Sequence, residues 1–400
     1  MSGNLALARN GAQTAITGSL ALDAFDVHAL LPALAGAAST VPVAGSLWPG
    51  GPIDIGAAPR TTTGRIEVTV AALDNGVSPL LSDVKFGYDW DAQSVHLRNL
   101  SGDLGGGTLG ADITVCCSNA ALPDKQVSGR LSLAGVGIDT VAPAAVAGGL
   151  DGTLEASAQF DGSGATLDQA IAAMTGTGSY TVSGFSVAHF DPGVFRAAGA
   201  LTGVVDLAPE ALSRTVTEKL EAGPFSAPTL TGSFTIANGT LRSPNLAIAG
   251  DGARIFGSAT MSLKDLVLDA HYTMSPTGKT DATSAIDPTT AEVDAVLKGP
   301  LWAPATNYDV AALVDGMKIK ANEIELARLE QLKAEADARA KAAAELRARL
   351  DALRPGVSVA GGGEAMKLAE EAAAIEAARK AAEAAKRAAA SSAEPLDLGL

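Results

Sequence analysis

The chain has 400 residues, 44 of them Gly, with only 4% aromatic residues and a formal charge of −15. That length exceeds one typical domain of roughly 100–200 residues, and the acidic balance speaks against nucleic acid, whose binding rests on Lys and Arg neutralising phosphates. Large cores lean on aromatic side chains for buried area. An apolar content made mostly of Ala, Val, Leu and Ile therefore suits many short strands in a thin, elongated sheet.

In chain order, the start MSGNLALARNGAQTAITG lacks a basic segment followed by an apolar one, so no signal peptide is expected. No run reaches the ~18 apolar residues of a membrane helix, and Pro32 and Pro42 interrupt the least polar stretch. From there to about residue 310, Gly-containing turns alternate with short segments of period-two polarity. Examples are 17–25, 63–73, 128–138, 151–160 and 231–241. Such alternation marks strands with one buried face. In 63–73 the apolar set is Ile66, Val68 and Val70. In 151–160 it is Leu154, Ala156, Ala158 and Phe160, and in 231–241 it includes Phe234 and Ile236. In 264–272 it is Leu266, Leu268 and Ala270 with Tyr272.

Two helical interruptions are predicted. Segment 165–176 has Thr166 as its cap, and 208–223 has Pro209 in its first turn and Leu212, Val216 and Leu220 on one stripe. Residues 318–354 are rich in Ala, Glu, Lys, Arg and Leu, all strong helix formers. Glu335–Arg339, Asp337–Lys341 and Glu345–Arg349 are spaced for ion pairs one turn apart. A second helix with Glu376–Lys380 and Glu383–Arg387 follows a Gly-rich break. The acidity is confined to the strand region: residues 1–316 hold 30 acids and 15 bases, and 317–390 hold 12 and 14.

The expected fold is mainly β: an elongated, curved antiparallel sheet of β-groove or taco-like repeats, with short helices and a long C-terminal helical tail. The expected regions are 1–145 and 146–315 (β-repeats), 316–355 (charged Ala-rich helix), 356–363 (Gly linker), 364–391 (Ala/Glu/Lys helix) and 392–400 (disordered tail). Whether the alternating faces meet in a sealed core or line an open trough is left open by the pattern. An open trough would hold acyl chains, each buried CH₂ contributing roughly 0.8 kcal/mol.

Catalytic and cofactor signals are weak, and no catalytic, cofactor-binding or metal residue is assigned. His28, His96, His189 and His271 are scattered and none has zinc-ligand spacing. Gly105, Gly107 and Gly110 fit G-x-G-x-x-G, but a strand pattern follows where a dinucleotide site needs a helix. Gly278-Lys279-Thr280 resembles the end of a phosphate loop, yet Thr273 stands where its first Gly belongs. The adjacent Cys116 and Cys117 are expected on opposite faces of a strand, which disfavours a bridge between them.

An ordered series of segments resembles the C-terminal region of the AsmA family: FDVHALLPAL, SLWPGGPIDIG, SGDLGGGTLGADITV, the stretch from GLDGTLEASAQF to GFSV, the stretch from GPFSAPTL to DAHYTM, and LKGPLWAP ahead of a charged helix. The resemblance covers roughly residues 20–350. It implies a non-enzymatic, bridge-like lipid transporter on the periplasmic side of the bacterial inner membrane, aiding outer-membrane biogenesis. It further implies phospholipid acyl chains as ligand. Separately, the C-terminal helices are expected to offer a docking surface for an envelope protein partner. From Met1 onward the sequence shows neither the N-terminal membrane helix nor the chorein-like segment implied for full-length members. A structural β-repeat scaffold whose helical tail docks a protein is the alternative expectation.

Overall fold

The computed structural model describes residues 1–36, 40, 47–53, 61–74, 79–117, 124–142, 147–278, 284–353, 366–367 and 369–380. The expected Gly linker, the disordered tail and the Glu383–Arg387 pair lie outside these residues.

Fifteen strands form one sheet in strict chain order. They are β1 (Ser2–Asn10), β2 (Gln13–Asp26), β3 (Thr62–Asp74), β4 (Pro79–Trp90), β5 (Ser94–Leu104), β6 (Gly107–Cys116), β7 (Lys125–Gly137), β8 (Leu150–Gly164), β9 (Thr175–Val187), β10 (Phe225–Ala237), β11 (Thr240–Ala249), β12 (Ala253–Ser262), β13 (Val267–Pro276), β14 (Val293–Pro300) and β15 (Ala305–Asp309). Neighbours pair antiparallel, some across two-residue turns and others across longer, partly helical connections, except that β2 and β3 run parallel. A parallel pair needs a crossover, and α1 (Val27–Ala35) lies in that connection. Further helices among the described residues are α2 (Ile138–Val141), α3 (Leu167–Ala172), α4 (Gly193–Gly199), α5 (Pro209–Leu220) and α6 (Ala311–Leu353).

Local chemistry explains the joints. Gly105 and Gly106, both at positive φ, make the β5–β6 hairpin, so the G-x-G-x-x-G spacing is a turn. The 231–241 segment is two strands, because Asn238 and Gly239 both take positive φ, the demand of a two-residue type I′ turn. Thr166 caps α3 by accepting the Gln169 N–H at 3.2 Å. Pro209 opens α5, whose Leu212, Val216 and Leu220 are all buried. Helices α1 and α4 are not marked by periodicity: α1 contains Pro32, and α4 is short and begins with Gly193.

The expected separation of Cys116 and Cys117 is overturned. Their sulfurs are joined in a disulfide across a cis peptide bond. Cys117 lies past the end of β6, so strand alternation does not apply to it.

The chain divides into two units, Met1–Lys320 and Ala321–Leu400. The first carries the whole sheet, with β7 pairing to β8 across the 145/146 boundary. In the second, the Glu335–Arg339 pair forms at 3.6 Å. Residues 369–380 are helical, and Glu376 meets Arg379 at 3.6 Å rather than the expected Lys380.

Candidate apolar ligand face

Register places the apolar residues of successive strands side by side. Leu131 of β7, Ala158 of β8, Gly178 of β9 and Phe234 of β10 are mutual neighbours across the ladder. The next row is Leu133, Ala156, Tyr180 and Gly232. Leu154 faces Val182, which faces Leu230. On the other side, Ile66 faces Tyr88, Val68 faces Phe86 and Val70 faces Val84.

A recurring pair shapes this surface. Trp90 lies across Gly64, Phe160 across Gly129, Phe234 across Gly178, Tyr180 across Gly232 and Tyr272 across Gly257; a β-carbon at any of these glycines would fall on the ring beside it. The missing side chain lets each ring lie down on the neighbouring backbone. The result is a low apolar floor built from few aromatics, a pairing known to rescue glycine in sheets.

Coverage of the floor varies. Over β3–β6 it is sealed: Val68, Val70, Val84, Phe86, Val95, Leu97 and Leu100 form a buried cluster with Leu34 and Ala35 of α1 and with Ile53. The Tyr88 hydroxyl donates to the Ala33 carbonyl at 2.6 Å, tying α1 across these strands. Where β9 leads through α4 and α5 into β10, Val182, Leu230, Ile248, Ile255, Met274 and Val293 are buried, as are Leu313, Val314 and Met317 in the first turns of α6. The opposite end of the strands is crossed by residues 47–53. There the Trp48 Nε1–H donates to the Leu263 carbonyl at 2.8 Å, the Ile53 N–H to the Ala165 carbonyl at 2.8 Å and the Asp168 N–H to the Pro49 carbonyl at 3.4 Å.

Between these covers, the floor of β7–β10 is half-open. Leu133, Leu154, Ala156, Ala158, Phe160, Tyr180 and Phe234 are all of intermediate exposure, and Leu131 is 40% exposed. The expected lipid-facing residues therefore separate. Leu154, Ala156, Ala158, Phe160 and Phe234 lie together in the half-open strip. Ile66 and Leu268 are half-buried on strands further along the sheet. Val70 (2% exposed), Val68, Ile236 and Ala270 (1% exposed) are buried core residues. Leu266 sits before β13 in a turn, at φ 50°, and not on the strand face. Alternation names a face and carries no information on what covers it.

Two shallow depressions of about 600 and 740 Å³ lie over β5–β10. The first is lined by Leu131, Ala158 and Gly178 together with Arg130, Gln159 and Thr177. The second combines Phe160, Gly176 and Ile236 with Asp112, Asp161 and Thr235. Both draw more of their lining from the polar row than from the apolar one, so neither is an enclosed apolar cavity.

The polar row is laced by hydroxyl and ion pairs. Asp89 meets Arg98 at 2.6 Å and Arg65 at 3.3 Å, and Ser157 and Ser179 share a hydrogen bond at 3.2 Å. His96 stands between two hydroxyls, Ser94 Oγ at 2.8 Å from Nε2 and Thr114 Oγ1 at 3.0 Å from Nδ1. Sequence spacing did not reveal this Ser–His contact. Its second ring nitrogen faces a hydroxyl, so no carboxylate holds the ring as the acid of a triad would. Desolvation favours the acid form of Asp91, but the hydrogen bonds that its carboxylate accepts from the Gln93 and Ser94 N–H groups hold it below the usual range. On the apolar face, burial and the nearby Tyr180 push the Tyr272 phenol up to about 12. Tyr180 itself is satisfied by Ser243 at 3.1 Å, and Ser243 donates to the Ser233 carbonyl at 3.1 Å. Among the described residues no group of three or more His, Cys, Asp or Glu is placed to hold a metal ion.

No protein-family model, no curated protein and no solved structure matches the chain.

Proposed function

We propose that this chain is a non-enzymatic, AsmA-like module of phospholipid traffic in the bacterial envelope, acting on the periplasmic side and holding acyl chains along the half-open strip of β7–β10. The observation that carries this reading is the contiguous row Leu131–Ala158–Gly178–Phe234, partly open between two sealed flanks. Rings lying on glycines keep the aromatic part of the strip low, which suits a linear chain lying along it rather than a compact ligand. Such a strip needs no polar chemistry, since each buried CH₂ contributes roughly 0.8 kcal/mol. The groove-like, repeat-built shape expected from the resemblance belongs to this proposal.

The test uses faces of one strand. A photo-crosslinking residue placed at Ala158, on the apolar face, should label phospholipid in cells; the same residue at Ser157, on the polar face, should not. Equal labelling at both, together with purified protein free of co-extracted phospholipid, rejects the reading.

The scaffold alternative draws on one feature of the second unit. Leu326, Leu329 and Leu332 are exposed along α6, on a surface a helical partner could cover.

A further inference from the structure

Among the described residues, strand β1 is an uncovered edge, exposed from Ser2 to Arg9. It lies at one end of the sheet order, and its nine residues, SGNLALARN, contain one charge and no Pro. Natural edges are normally blunted by shortness, charge, Pro or cover. The opposite edge shows such devices: β15 has five residues, follows Pro304, and stacks Tyr308 on Phe190 at 5.8 Å. On β1 the side chains that continue the apolar face, Leu5 and Leu7, are 54% and 72% exposed.

The hairpin sets which backbone groups are free. Asn10 pairs with Gln13 across a two-residue turn. In that geometry the flanking pair exchanges both backbone hydrogen bonds, and bonding alternates along the strand from there. Even-numbered residues of β1 thus bond to β2, and the N–H and C=O groups of Gly3, Leu5, Leu7 and Arg9 point away from the sheet.

We infer that β1 pairs antiparallel with β1 of a second copy, on a two-fold axis at Ala6. The strand is self-complementary in this register. Leu5 faces Leu7 of the other copy on the apolar side, Ala6 faces Ala6, and Asn4 faces Ala8. Arg9 faces Gly3, so no like charges oppose. The outward groups of Gly3, Leu5, Leu7 and Arg9 form the hydrogen-bonded pairs. The apolar face of each sheet then runs on into the next. The inference rests on the edge alone and is independent of the lipid reading.

The full chain should sediment and scatter as a particle of twice the 39.9 kDa chain mass. Leu7→Pro removes an outward N–H while sparing the β2 ladder, and should weaken the dimer by roughly tenfold or more, with helix and strand content kept. Ala6→Cys should form a reducible disulfide dimer, since opposed residues in a non-hydrogen-bonded antiparallel pair meet the Cα spacing of a bridge. Asn4→Cys should not. A chain monomeric at tens of micromolar, or a dimer indifferent to Leu7→Pro with no bridge through Ala6→Cys, overturns the inference.

Discussion

The ring of Phe234 lies over Gly178 of the neighbouring strand, where a β-carbon would meet both the ring and the Ser157 carbonyl of the next strand. One of those neighbours is backbone, so a side chain there cannot be accommodated by rotating the ring alone. Gly178→Val should destabilise the sheet by about 2 kcal/mol through overpacking. Urea unfolding of the purified chain checks this, and an unchanged midpoint would show that the ring is not held there.

The sealed and half-open positions of the apolar face should respond differently. Val70→Ala opens a cavity in a closed cluster and should cost about 2 kcal/mol. Ala158→Ser, in the half-open strip, should cost less than about 1 kcal/mol because water reaches the site. Comparing the two by thermal melting separates core from surface along one face.

Tyr272 gives the fold an alkaline limit. Its phenol is pushed up to about 12 in the folded chain, from an ordinary value of 10.0. The folded state keeps the proton longer than the unfolded state. The associated stability, about 2 kcal/mol, is fully present below pH ~10 and is lost as pH rises toward ~12. Tyr272→Phe should flatten the fall in melting temperature across that window and leave the slope near neutral pH unchanged.

The first turns of α6 belong to the sheet unit. Leu313, Val314 and Met317 are buried there, and the unit ends at Lys320. Truncation after Lys320 should leave the melting transition of the sheet unit in place. Truncation after Val310 removes three buried side chains and should lower the midpoint by roughly 5 °C or more.

Much of this architecture can be read from residue order. Period-two runs locate the strands because side-chain direction alternates by geometry, and Thr166 and Pro209 mark helix starts by their capping chemistry. What escapes is whatever depends on distant partners. Nothing near Val70 says that α1 will cover it while Ala158 stays half-open. Nothing in 47–53 announces that Trp48 will find Leu263. The joined Cys116 and Cys117 escape because the strand ends between them, and a boundary of one residue is beyond what alternation resolves.

The crossing at residues 47–53 has a consequence for how the chain comes to be folded. Most of the sheet is a meander, and each hairpin can zip onto the one before it as it leaves the ribosome, through contacts close in sequence. The Trp48 bond spans 215 residues. Residues 49–53 can dock once Ala165 and Asp168 have emerged, but the Trp48–Leu263 bond cannot form until about 100 residues later. Synthesis therefore passes through a long interval in which an incomplete sheet is exposed to pairing errors, and closure comes in two steps, the last of them at Leu263.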